Sequence, residues 1–564
     1  MKNSPWTRET RLVPPQSNEK EAPLRYTDKK DGPLKMAPRR RWLYFIPFFL
    51  IASSVIGGRF GSHLMTASAA STEDDVKASV KSFTKVYGVV EENFADPVTP
   101  DRGIYKGAIP GMLRTLDPHS NFFDSHDLQV MREEQRGHYF GVGMQVSPRS
   151  GKTVVMKPFS GSPAAKAGIR PGDVISAVDG KSCDNLTTTE VADMLKGPRG
   201  TTVRITIVRE GLDKPLSFEV VRDDINRASV DRALWLKPGY AYMHIDMFME
   251  TTGREVEDNL KKFGEENVKG MVLDLRGNPG GLLNEAVSVA DKFLNKGDVI
   301  VSHRGRSSPE RVYRAMNGNK GHLYPIVVLV NRNSASASEI VSGALQDHDR
   351  GWIMGDNTFG KGLVQTVYPL SENTGLALTT AKYYTPSGRL IQRDYEHTSF
   401  LDYYYKTNTE TRDNNDVKMT DSGRTVYGGG GISPDEKIQP EKLDSLESFL
   451  YARFGLLGFT KHYFSTHSTK LPEGWTPDEK VINELHDWLL TQNMKFTEAD
   501  FTKDYDWIRR NLGVEMLLTA FGADDSDRYA VITDPSVLKA LDAMPKAQAL
   551  LDGAKKIIVQ RMAH

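Results

Sequence analysis

The feature that most constrains the fold is a short apolar run that passes through a polar turn into a helical pattern. Residues 326–330 read IVVLV, a β-branched-rich run of the length expected for a buried strand. Asn331-Arg332-Asn333 forms the turn, and small Ser and Ala residues lead into residues 339–345, whose apolar members recur at helical spacing. A hydroxyl group at such a junction is exposed at the sheet edge and faces the positive end of the helix dipole. The segment is therefore a favourable place for developing negative charge.

The same strand–turn–helix pattern occurs earlier in the chain. Residues 240–245 and 271–275 read as strands, and residues 254–263 and 282–293 read as helices. Alternating strands and helices predict an α/β core over residues 224–440, with a mostly parallel sheet whose binding sites lie at the carboxyl ends of the strands.

The second of these strands runs into Arg276-Gly277-Asn278-Pro279-Gly280-Gly281, a glycine-rich turn at a carboxyl end. Gly280 and Gly281 can therefore offer backbone amides to an oxyanion. A phosphate-binding turn is the alternative, but the glycine spacing matches neither the P-loop nor the dinucleotide fingerprint.

A lysine between two glycines, Gly360-Lys361-Gly362, follows the serine cluster. The permissive glycine backbone lets the amine enter a tight site, and a desolvated lysine can make a serine hydroxyl nucleophilic. Its pKa of about 10.4 must fall by several units for this role near neutral pH. From the residues alone, a lysine is more often a surface charge. A serine at a helix start is more often a cap, and Ser334 and Ser338 are natural cap candidates.

Composition limits the class of protein. At 564 residues, the chain should hold three or four domains of roughly 150 residues each. It is 39% hydrophobic and 26% charged, as globular proteins are, and its net charge of zero gives no sign of nucleic-acid binding. The single cysteine, Cys183, excludes an intrachain disulfide and a cysteine-based zinc site, and we interpret it as an apolar filler.

The N-terminal region predicts a membrane anchor. Residues 1–41 are rich in proline and charge and predict disorder. Trp42–Gly58 is almost wholly apolar, short for a spanning helix of about 20 residues and long for a signal core of roughly 7–15. Arg39-Arg40-Arg41 predicts a cytoplasmic N-terminus, hence a single-pass cell-membrane protein with its catalytic part in the periplasm or outside. Ala67-Ser68-Ala69 fits a cleavage site, so a cleaved signal and a periplasmic form are the alternative, although the long n-region favours the anchor.

Residues 75–136 predict a helical N-terminal segment of the core, with apolar residues at steps of three and four. Asp117-Pro118-His119-Ser120 predicts a turn. We interpret His119, alone beside a proline, as structural.

Residues 137–223 read as a small inserted domain. SPAAKAGIRPGDVISAVDG places a short capped helix before a turn, the strand 174–178 and a hairpin turn. A helix at Thr188–Lys196 and strands at 202–208 and 216–221 follow. This order resembles a PDZ domain. The resemblance implies that a peptide adds as a strand in the groove between Val142–Val146 and that helix, with its terminal carboxylate at the amides of a glycine loop. By position the loop residues are Phe140, Gly141, Val142 and Gly143.

Two further segments complete the chain. Residues 394–427 are polar and rich in Tyr and Asn, and predict a surface loop. Residues 441–564 predict a separate C-terminal helical domain, a candidate surface for a homo-oligomer or an adaptor.

DLRGNPGG, SASASE and TFGKGLVQ, in this order after a PDZ-like segment, resemble the carboxyl-terminal processing peptidases (tail-specific proteases) over residues 76–440. The resemblance implies a ClpP/crotonase-like core and peptide-bond hydrolysis through an acyl-enzyme, with no metal or other cofactor. It implies substrate proteins with apolar C-terminal tails. It also implies the following roles: Ser336 as nucleophile, Lys361 as general base, Gln365 to orient the lysine, and an oxyanion hole from Ala337 with Gly280 or Gly281.

Two residues leave open questions. On one straight strand, Lys361 and Gln365 would lie roughly 13 Å apart, so either the chain bends or the glutamine reaches back. Asp347 is the acid near the helix of the serine cluster that could complete a triad with Ser336 and Lys361. A solvated charge at the helix end is the favoured alternative, so we assign Asp347 only a supporting role.

Three rival functions remain at this point. A PDZ scaffold with an inactive protease fold should lack Ser336, Lys361 or Gln365, and all three are present. An exported trypsin-like protease with a PDZ domain should contain a glycine-flanked serine after a His and an Asp, and we find none. A non-proteolytic chaperone for peptide tails needs no nucleophile, so only a cleavage assay separates it from the protease.

Overall fold

The computed structural model describes residues 73–149, 151–405, 413–439, 442–467, 470–492 and 494–562. The predicted disordered segment, the apolar run at residues 42–58 and the candidate cleavage sequence all lie outside these residues. None of the helices within the described ranges has the length and apolar character needed to cross a bilayer. The first described helix, α1 (Glu73–Asn93), belongs to a compact unit of its own. Its first turn carries three acidic residues, which stabilise the positive end of the helix dipole.

The second unit begins with a short π-helix, Asp101–Ala108, which continues into α2 (Ile109–Arg114). Strand β1 (Asn121–Phe123) and helix α3 (Ser125–Arg136) follow. The prediction that residues 75–136 are helical is thus wrong at β1, because a distant strand supplies its hydrogen-bonding partners.

The next region contains β2 to β9 and two helices. β3 is the edge strand of a sheet ordered β3-β4-β5-β7-β8, with β6 on β5, and β2 and β9 form a separate ribbon where the chain enters and leaves this region. The core includes Val155, Ile175, Val191 and the buried Cys183. The bounds are β2 (His138–Gly141), β3 (Met144–Arg149), β4 (Lys152–Pro158), α4 (Pro163–Lys166), β5 (Val174–Val178), β6 (Lys181–Ser182), α5 (Thr188–Leu195), β7 (Thr202–Val208), β8 (Leu216–Val221) and β9 (Asp223–Asn226).

Strands and helices then alternate. Residues 326–330 form a strand buried at every position, as their apolar sequence predicts. The bounds are β10 (Val230–Lys237), β11 (Tyr240–Ile245), α6 (Thr252–Phe263), β12 (Gly270–Asp274), α7 (Leu283–Asp291), β13 (Val299–Gly305), β14 (Ser308–Arg314), β15 (Ile326–Val330), α8 (Ala337–Asp347), β16 (Trp352–Gly355), β17 (Leu363–Pro369), β18 (Gly375–Tyr384), α9 (Phe400–Tyr405), β19 (Asp413–Met419), β20 (Thr425–Gly428) and β21 (Glu436–Lys437).

Two sheets organise this region. The first has the order β10-β11-β12-β15-β16-β21, and all its neighbours are parallel except β10 and β11. The mostly parallel sheet is therefore present. The second sheet, β1-β18-β13-β14 with β17 on β18, is antiparallel and was not predicted.

The expectation of a surface loop at residues 394–427 is wrong for its described part. This part contains α9 and a hairpin of β19 and β20. Tyr403 of α9 is 2% exposed, because its ring is enclosed by neighbouring aromatic side chains.

The C-terminal region is helical, but it is not separate from the core. Its last helices pack Val537, Ala540 and Met544 against Val272 and Val327 of the parallel sheet, so they cover one face of that sheet. The bounds are α10 (Ser445–Ala452), α11 (Gly455–Thr466), α12 (Glu479–Thr491), α13 (Glu498–Lys503), α14 (Tyr505–Ala520), α15 (Ala523–Ile532), α16 (Pro535–Asp542) and α17 (Met544–Met562).

Candidate active site

Ser336 lies at the sharp turn between β15 and α8. Its backbone has φ 53° and ψ −110°, outside the regions that non-glycine residues usually occupy. The hydroxyls of the flanking serines are engaged: Ser334 Oγ donates to the Leu275 carbonyl (2.7 Å) and Ser338 Oγ donates to the Asn278 carbonyl (3.0 Å). In the described part of the chain, the half-buried Ser336 hydroxyl donates to no carbonyl. Of the three serines, it is the one whose proton is available for transfer.

Glu339, three residues after Ser336, joins the serine turn to the lysine loop. Its fully buried carboxylate accepts hydrogen bonds from the amides of Ser336 (2.8 Å), Gly360 (2.7 Å) and Lys361 (2.9 Å). The hydroxyl of Thr358 donates to it as well (2.5 Å). Burial raises the pKa of Glu339, and these hydrogen bonds oppose that rise. One carboxylate therefore fixes the backbones of both candidate residues relative to each other.

Tyr383 makes a second connection between the same loops. Its ring is almost fully buried, and its hydroxyl lies within hydrogen-bond distance of the carbonyl oxygens of Ser336 (3.1 Å) and Lys361 (2.6 Å). Tyr383 belongs to β18, so the antiparallel sheet also positions the site.

Lys361 is partly buried, and its Nζ donates to Oε1 of Gln365 at 3.0 Å. Burial lowers the pKa of Lys361, while the charges of Glu339 and Asp117 oppose that fall. Among the described residues, no hydrogen bond joins Nζ to Oγ of Ser336. The amine is therefore held beside the serine turn through Gln365 and the backbone.

Lys361 and Gln365 do not lie on one straight strand, which removes the expected separation of their side chains. Lys361 precedes β17, and the register of β17 on β18 shifts between Val364 and Gln365. A register shift of this kind marks a bulge, which re-aims the side chain that follows it.

The structure assigns His119 a place at the site, which the sequence reasoning missed. Its carbonyl oxygen accepts a hydrogen bond from Nε2 of Gln365, so the amide group of Gln365 is held at both ends. Burial, and then the charge of Lys361, lowers the pKa of His119 to about 4, so its ring is neutral at neutral pH.

The glycine turn lies against Ser336. A Cβ atom on Gly280 would come within 2.7 Å of both the Ser336 Cβ and the Ala335 carbonyl oxygen. The Gly280 amide donates to Oδ1 of Asn278 at 2.8 Å. Within the described residues, the amides of Gly281 and Ala337 donate to no protein group, so these two are available to a ligand.

A partly buried ion-pair network, with only Asp274 fully buried, holds the start of this turn. Arg276 Nη2 contacts Asp274 (2.5 Å) and Asp534 of the C-terminal region (2.9 Å). The Tyr242 hydroxyl also donates to Asp274 (2.9 Å). The C-terminal helices are thus linked to the candidate oxyanion turn.

Asp347 does not contact the Ser336 and Lys361 side chains. It is 1% exposed and ion-paired with the fully buried Arg389 at 2.7 Å, and it also accepts from the amide of Ser387 at 3.0 Å. The expectation of a solvated helix-end charge is therefore wrong. Asp347 binds its own helix end to the segment after β18.

The candidate peptide-binding residues lie at the edge of the small domain. Phe140 and Gly141 belong to β2 and pair with β9, so the expected loop is reduced to Val142 and Gly143. Phe140 is 43% exposed, and Gly143 has φ 77°. In the described part of the sheet, β3 has no strand on its outer edge, which leaves its backbone groups open for an added strand.

The signals for the missed residues differ. Glu339 stands three residues after Ser336, the spacing at which a helix-start acid reaches back to the N-cap amide, so this contact was accessible from the sequence. No local pattern marks Tyr383 or the carbonyl of His119, because their partners are distant in the chain.

Comparison with protein families identifies two parts of the chain. Residues 239–396 match the model of peptidase family S41, and residues 154–209 match that of a PDZ domain. The molecule is therefore a serine-type peptidase with a PDZ domain, and the PDZ domain implies protein substrates with C-terminal tails.

Three curated relatives narrow the class. The carboxy-terminal-processing protease of Bartonella bacilliformis is 40% identical over 359 residues, covering 63% of this chain and 80% of that protein. CtpA of Bacillus subtilis, a carboxy-terminal processing protease, is 32% identical and covers 59% of this chain and 70% of that protein. The carboxyl-terminal-processing protease of a Synechocystis species is 36% identical and covers 51% of this chain and 68% of that protein. The chain belongs to the carboxy-terminal processing proteases.

Proposed function

We propose that the protein cleaves peptide bonds through an acyl-enzyme on Ser336, with Lys361 as general base and Gln365 holding the lysine. The PDZ domain captures apolar C-terminal tails at Phe140, Gly141, Val142 and Gly143 and presents the substrate to this pair. Asp347 supports the site from the far end of α8 through its ion pair with Arg389.

The observation that carries the proposal is a desolvated lysine whose loop is fastened to the serine turn. Burial lowers the pKa of Lys361, so more of the amine is neutral at a given pH than in water. Glu339 accepts from the amides of both Ser336 and Lys361, so the two backbones keep one spacing. A base of adjusted pKa beside a hydroxyl with an available proton is the requirement for nucleophilic catalysis.

The reaction runs in two stages. Ser336 Oγ attacks the scissile carbonyl carbon while its proton passes to Nζ of Lys361. The tetrahedral intermediate collapses, the C–N bond breaks, and the lysine gives that proton to the leaving amine. Water then attacks the ester, Lys361 takes a proton from the water, and the proton returns to Ser336 as the acid product leaves.

The negative oxygen of the intermediate needs preorganised donors. Ala337 supplies the amide at the start of α8, where the helix dipole is positive. For the second donor we favour Gly281, because the Gly280 amide already donates to Asn278.

Tail capture uses the open edge of β3. A peptide added there gains main-chain hydrogen bonds, and the exposed ring of Phe140 offers apolar contact beside the carboxylate position. Gly143 is a poor residue for testing this, since a Cβ would come within 2.5 Å of Ser162 and disturb the fold. Phe140→Asp is the better variant because its side chain is exposed.

The test is cleavage of an unstructured protein that ends in an apolar tail, followed by mass spectrometry. Wild type, Ser336→Ala and Lys361→Ala are compared on this substrate and on one with a charged tail. We expect cleavage that needs both residues and the apolar tail, and Phe140→Asp to lower the rate on the apolar tail only.

Other results assign other functions. Full cleavage by Ser336→Ala would show that the nucleophile is another residue. Tail binding without cleavage by wild type would identify the chaperone or the inactive scaffold considered above. Equal cleavage of both tails would remove the PDZ part of the proposal.

We also propose, from the sequence alone, that residues 42–58 anchor the protein with its catalytic part outside the cytoplasm. Fractionation of cells that express the full chain, with and without residues 1–60, tests this. Equal recovery of both forms in the soluble fraction would contradict it.

A further inference from the structure

The residues that hold Gln365 lead to the short helix α9. Gln365 Nε2 donates to the carbonyl oxygen of His119, and its Oε1 accepts from Lys361. This arrangement decides which end of the amide faces the lysine, because a reversed amide would present N–H groups to the amine. The orientation of Gln365 thus depends on the position of one backbone carbonyl.

The turn that carries this carbonyl is fixed from within by Asp117. Oδ1 of Asp117 accepts from the amides of His119 and Ser120, each at 2.8 Å. Its Oδ2 accepts from the Ser120 hydroxyl at 2.7 Å. These contacts shape the turn, but they do not fasten it to the site.

Helix α9 holds the turn from the other side. The hydroxyl of Tyr403 lies 2.9 Å from Nε2 of His119, and Tyr404 donates to the Pro118 carbonyl at 3.0 Å. The rings of Tyr403 and Tyr404 pack edge-on against the His119 ring, with centroids 5.6 and 6.2 Å away. Two adjacent tyrosines therefore enclose Pro118 and His119.

The hydrogen bonds form a chain with one direction. Gln392 Nε2 donates to the Tyr403 hydroxyl at 3.2 Å, so that hydroxyl donates onward to Nε2 of His119. A neutral imidazole then carries its proton on Nδ1, which faces the Tyr404 hydroxyl at 3.4 Å. Oε1 of Gln392 accepts from the amide of Gly362, the residue after Lys361, at 2.8 Å. This series of hydrogen bonds therefore starts at the lysine loop and reaches His119, the residue whose carbonyl oxygen holds Gln365.

Arg393 also links Tyr403 to the lysine loop. Its guanidinium lies 4.4 Å from the centroid of the Phe359 ring and 4.5 Å from that of Tyr403, and its amide donates to the Gly360 carbonyl at 2.9 Å. Tyr403, in the segment expected to be a surface loop, thus packs on Phe359 and is linked through Arg393 to Gly360 and through Gln392 to Gly362.

We propose that Tyr403 is a positioning residue for the catalytic lysine, acting through the imidazole and carbonyl of His119 on the amide of Gln365. The proposal rests on the proposed role of Lys361 as general base. Helix α9 is then a strap that holds the lysine in its working orientation.

Tyr403→Phe is the direct test, because it removes the hydroxyl and keeps the packed ring. Loss of one hydrogen bond in the chain should lower kcat about tenfold and leave KM unchanged. The acid limb of the pH profile should move to lower pH, because the ammonium form loses an acceptor that was held in place. Tyr405→Phe is the matched control: it lies on the same helix, is 75% exposed, and should keep wild-type kinetics.

A double-mutant cycle tests the route. In a Gln365→Ala background, Tyr403→Phe should cause little further loss. An equal tenfold loss in both backgrounds, or a wild-type rate and pH profile for Tyr403→Phe, would overturn the proposal. If Tyr403→Phe does not fold, as judged by thermal unfolding, His119→Ala replaces it with the same expectations.

Failure of the underlying mechanism gives a different result. Lys361→Ala with undiminished activity would remove the general base itself. An inactive Lys361→Ala together with an unaffected Tyr403→Phe would overturn the role of Tyr403 alone.

Discussion

The candidate active site and the PDZ domain differ in how they are attached to the rest of the molecule. The serine turn and the lysine loop share buried acceptors, above all the carboxylate of Glu339, which binds four donors. The PDZ domain joins the rest through the β2–β9 ribbon and through partly exposed pairs such as Lys157–Asp527 (2.6 Å, with side chains 27% and 26% exposed). Losing a buried acceptor leaves several donors unsatisfied, whereas an exposed ion pair contributes little. We therefore expect the serine turn and the lysine loop to keep their spacing, whereas the PDZ domain can shift at small cost.

Glu339→Ala is the strongest test of this difference between the active site and the PDZ domain. This change leaves the four donors that share the Glu339 carboxylate without an acceptor. We therefore expect activity to be lost and the free energy of unfolding to fall by about 3–5 kcal/mol. Urea unfolding and the cleavage assay measure the two effects. The control is Glu266→Ala, which removes an exposed carboxylate and should change neither the free energy of unfolding nor the cleavage rate. A stable, active Glu339→Ala protein would mean that the two loops keep their spacing without it.

Gly280→Ala tests the close approach to the nucleophile. The new Cβ would lie 2.7 Å from Ser336 Cβ and 3.1 Å from the amide nitrogen of Ala337, a candidate oxyanion donor. We therefore expect kcat/KM to fall at least about 100-fold, the effect of losing an oxyanion donor. Gly277→Ala is matched, since Gly277 also has positive φ (76°) but meets nothing within 4 Å. Gly277→Ala carries a backbone strain of roughly 1–2 kcal/mol, and Gly280→Ala, at φ 105°, carries at least as much. A similar loss of activity in both variants would therefore assign the effect to strain.

The pH dependence of kcat/KM reports the pKa of Lys361. Because burial lowers the pKa of Lys361, activity should rise with pH through a value below the ordinary lysine pKa of about 10.4. The limb should rise rather than fall, since the neutral amine is the active form. Substrates without ionisable groups near the scissile bond serve as the control. A limb at the ordinary lysine value would mean that Lys361 is not desolvated in the working enzyme.

The smallest effect is expected at the PDZ attachment. Lys157→Ala removes an ion pair to Asp527, so the free energy of unfolding should change by less than about 1 kcal/mol. Cleavage of a short peptide without a tail should stay within about twofold of wild type. Arg204→Ala, which removes an exposed pair within the PDZ domain, is the control. A loss of several kcal/mol would show that the PDZ domain is as firmly held as the active site.

The sequence predicts local elements well and distant contacts poorly. Strands 240–245, 326–330, 174–178, 202–208 and 216–221 have the bounds that their apolar patterns indicate. The antiparallel sheet escapes prediction because β1 pairs with β18, more than 250 residues along the chain. Helix α9 escapes it because a polar, tyrosine-rich segment reads as a loop until its partner His119 is known.

The site shows the same division. The motifs indicate Ser336, Lys361 and Gln365, and the structure brings the last two together. Glu339 is fully buried, although an acid in the first turn of a helix is ordinarily a surface charge. Its carboxylate accepts from four donors on two segments, the serine turn and the loop 358–361, and that convergence is a tertiary property.

The position of helices α15–α17 in the chain also affects the order of folding during synthesis. They come last in the described chain, yet Ala543, Met544 and Ala547 cover Tyr242 and Val327 of the parallel sheet. Domains generally fold in the order in which they are made, so the strands of the sheet emerge from the ribosome before the helices that cover them. A nascent chain thus carries the motifs around Gly280, Ser336 and Lys361 before this face of the sheet is buried.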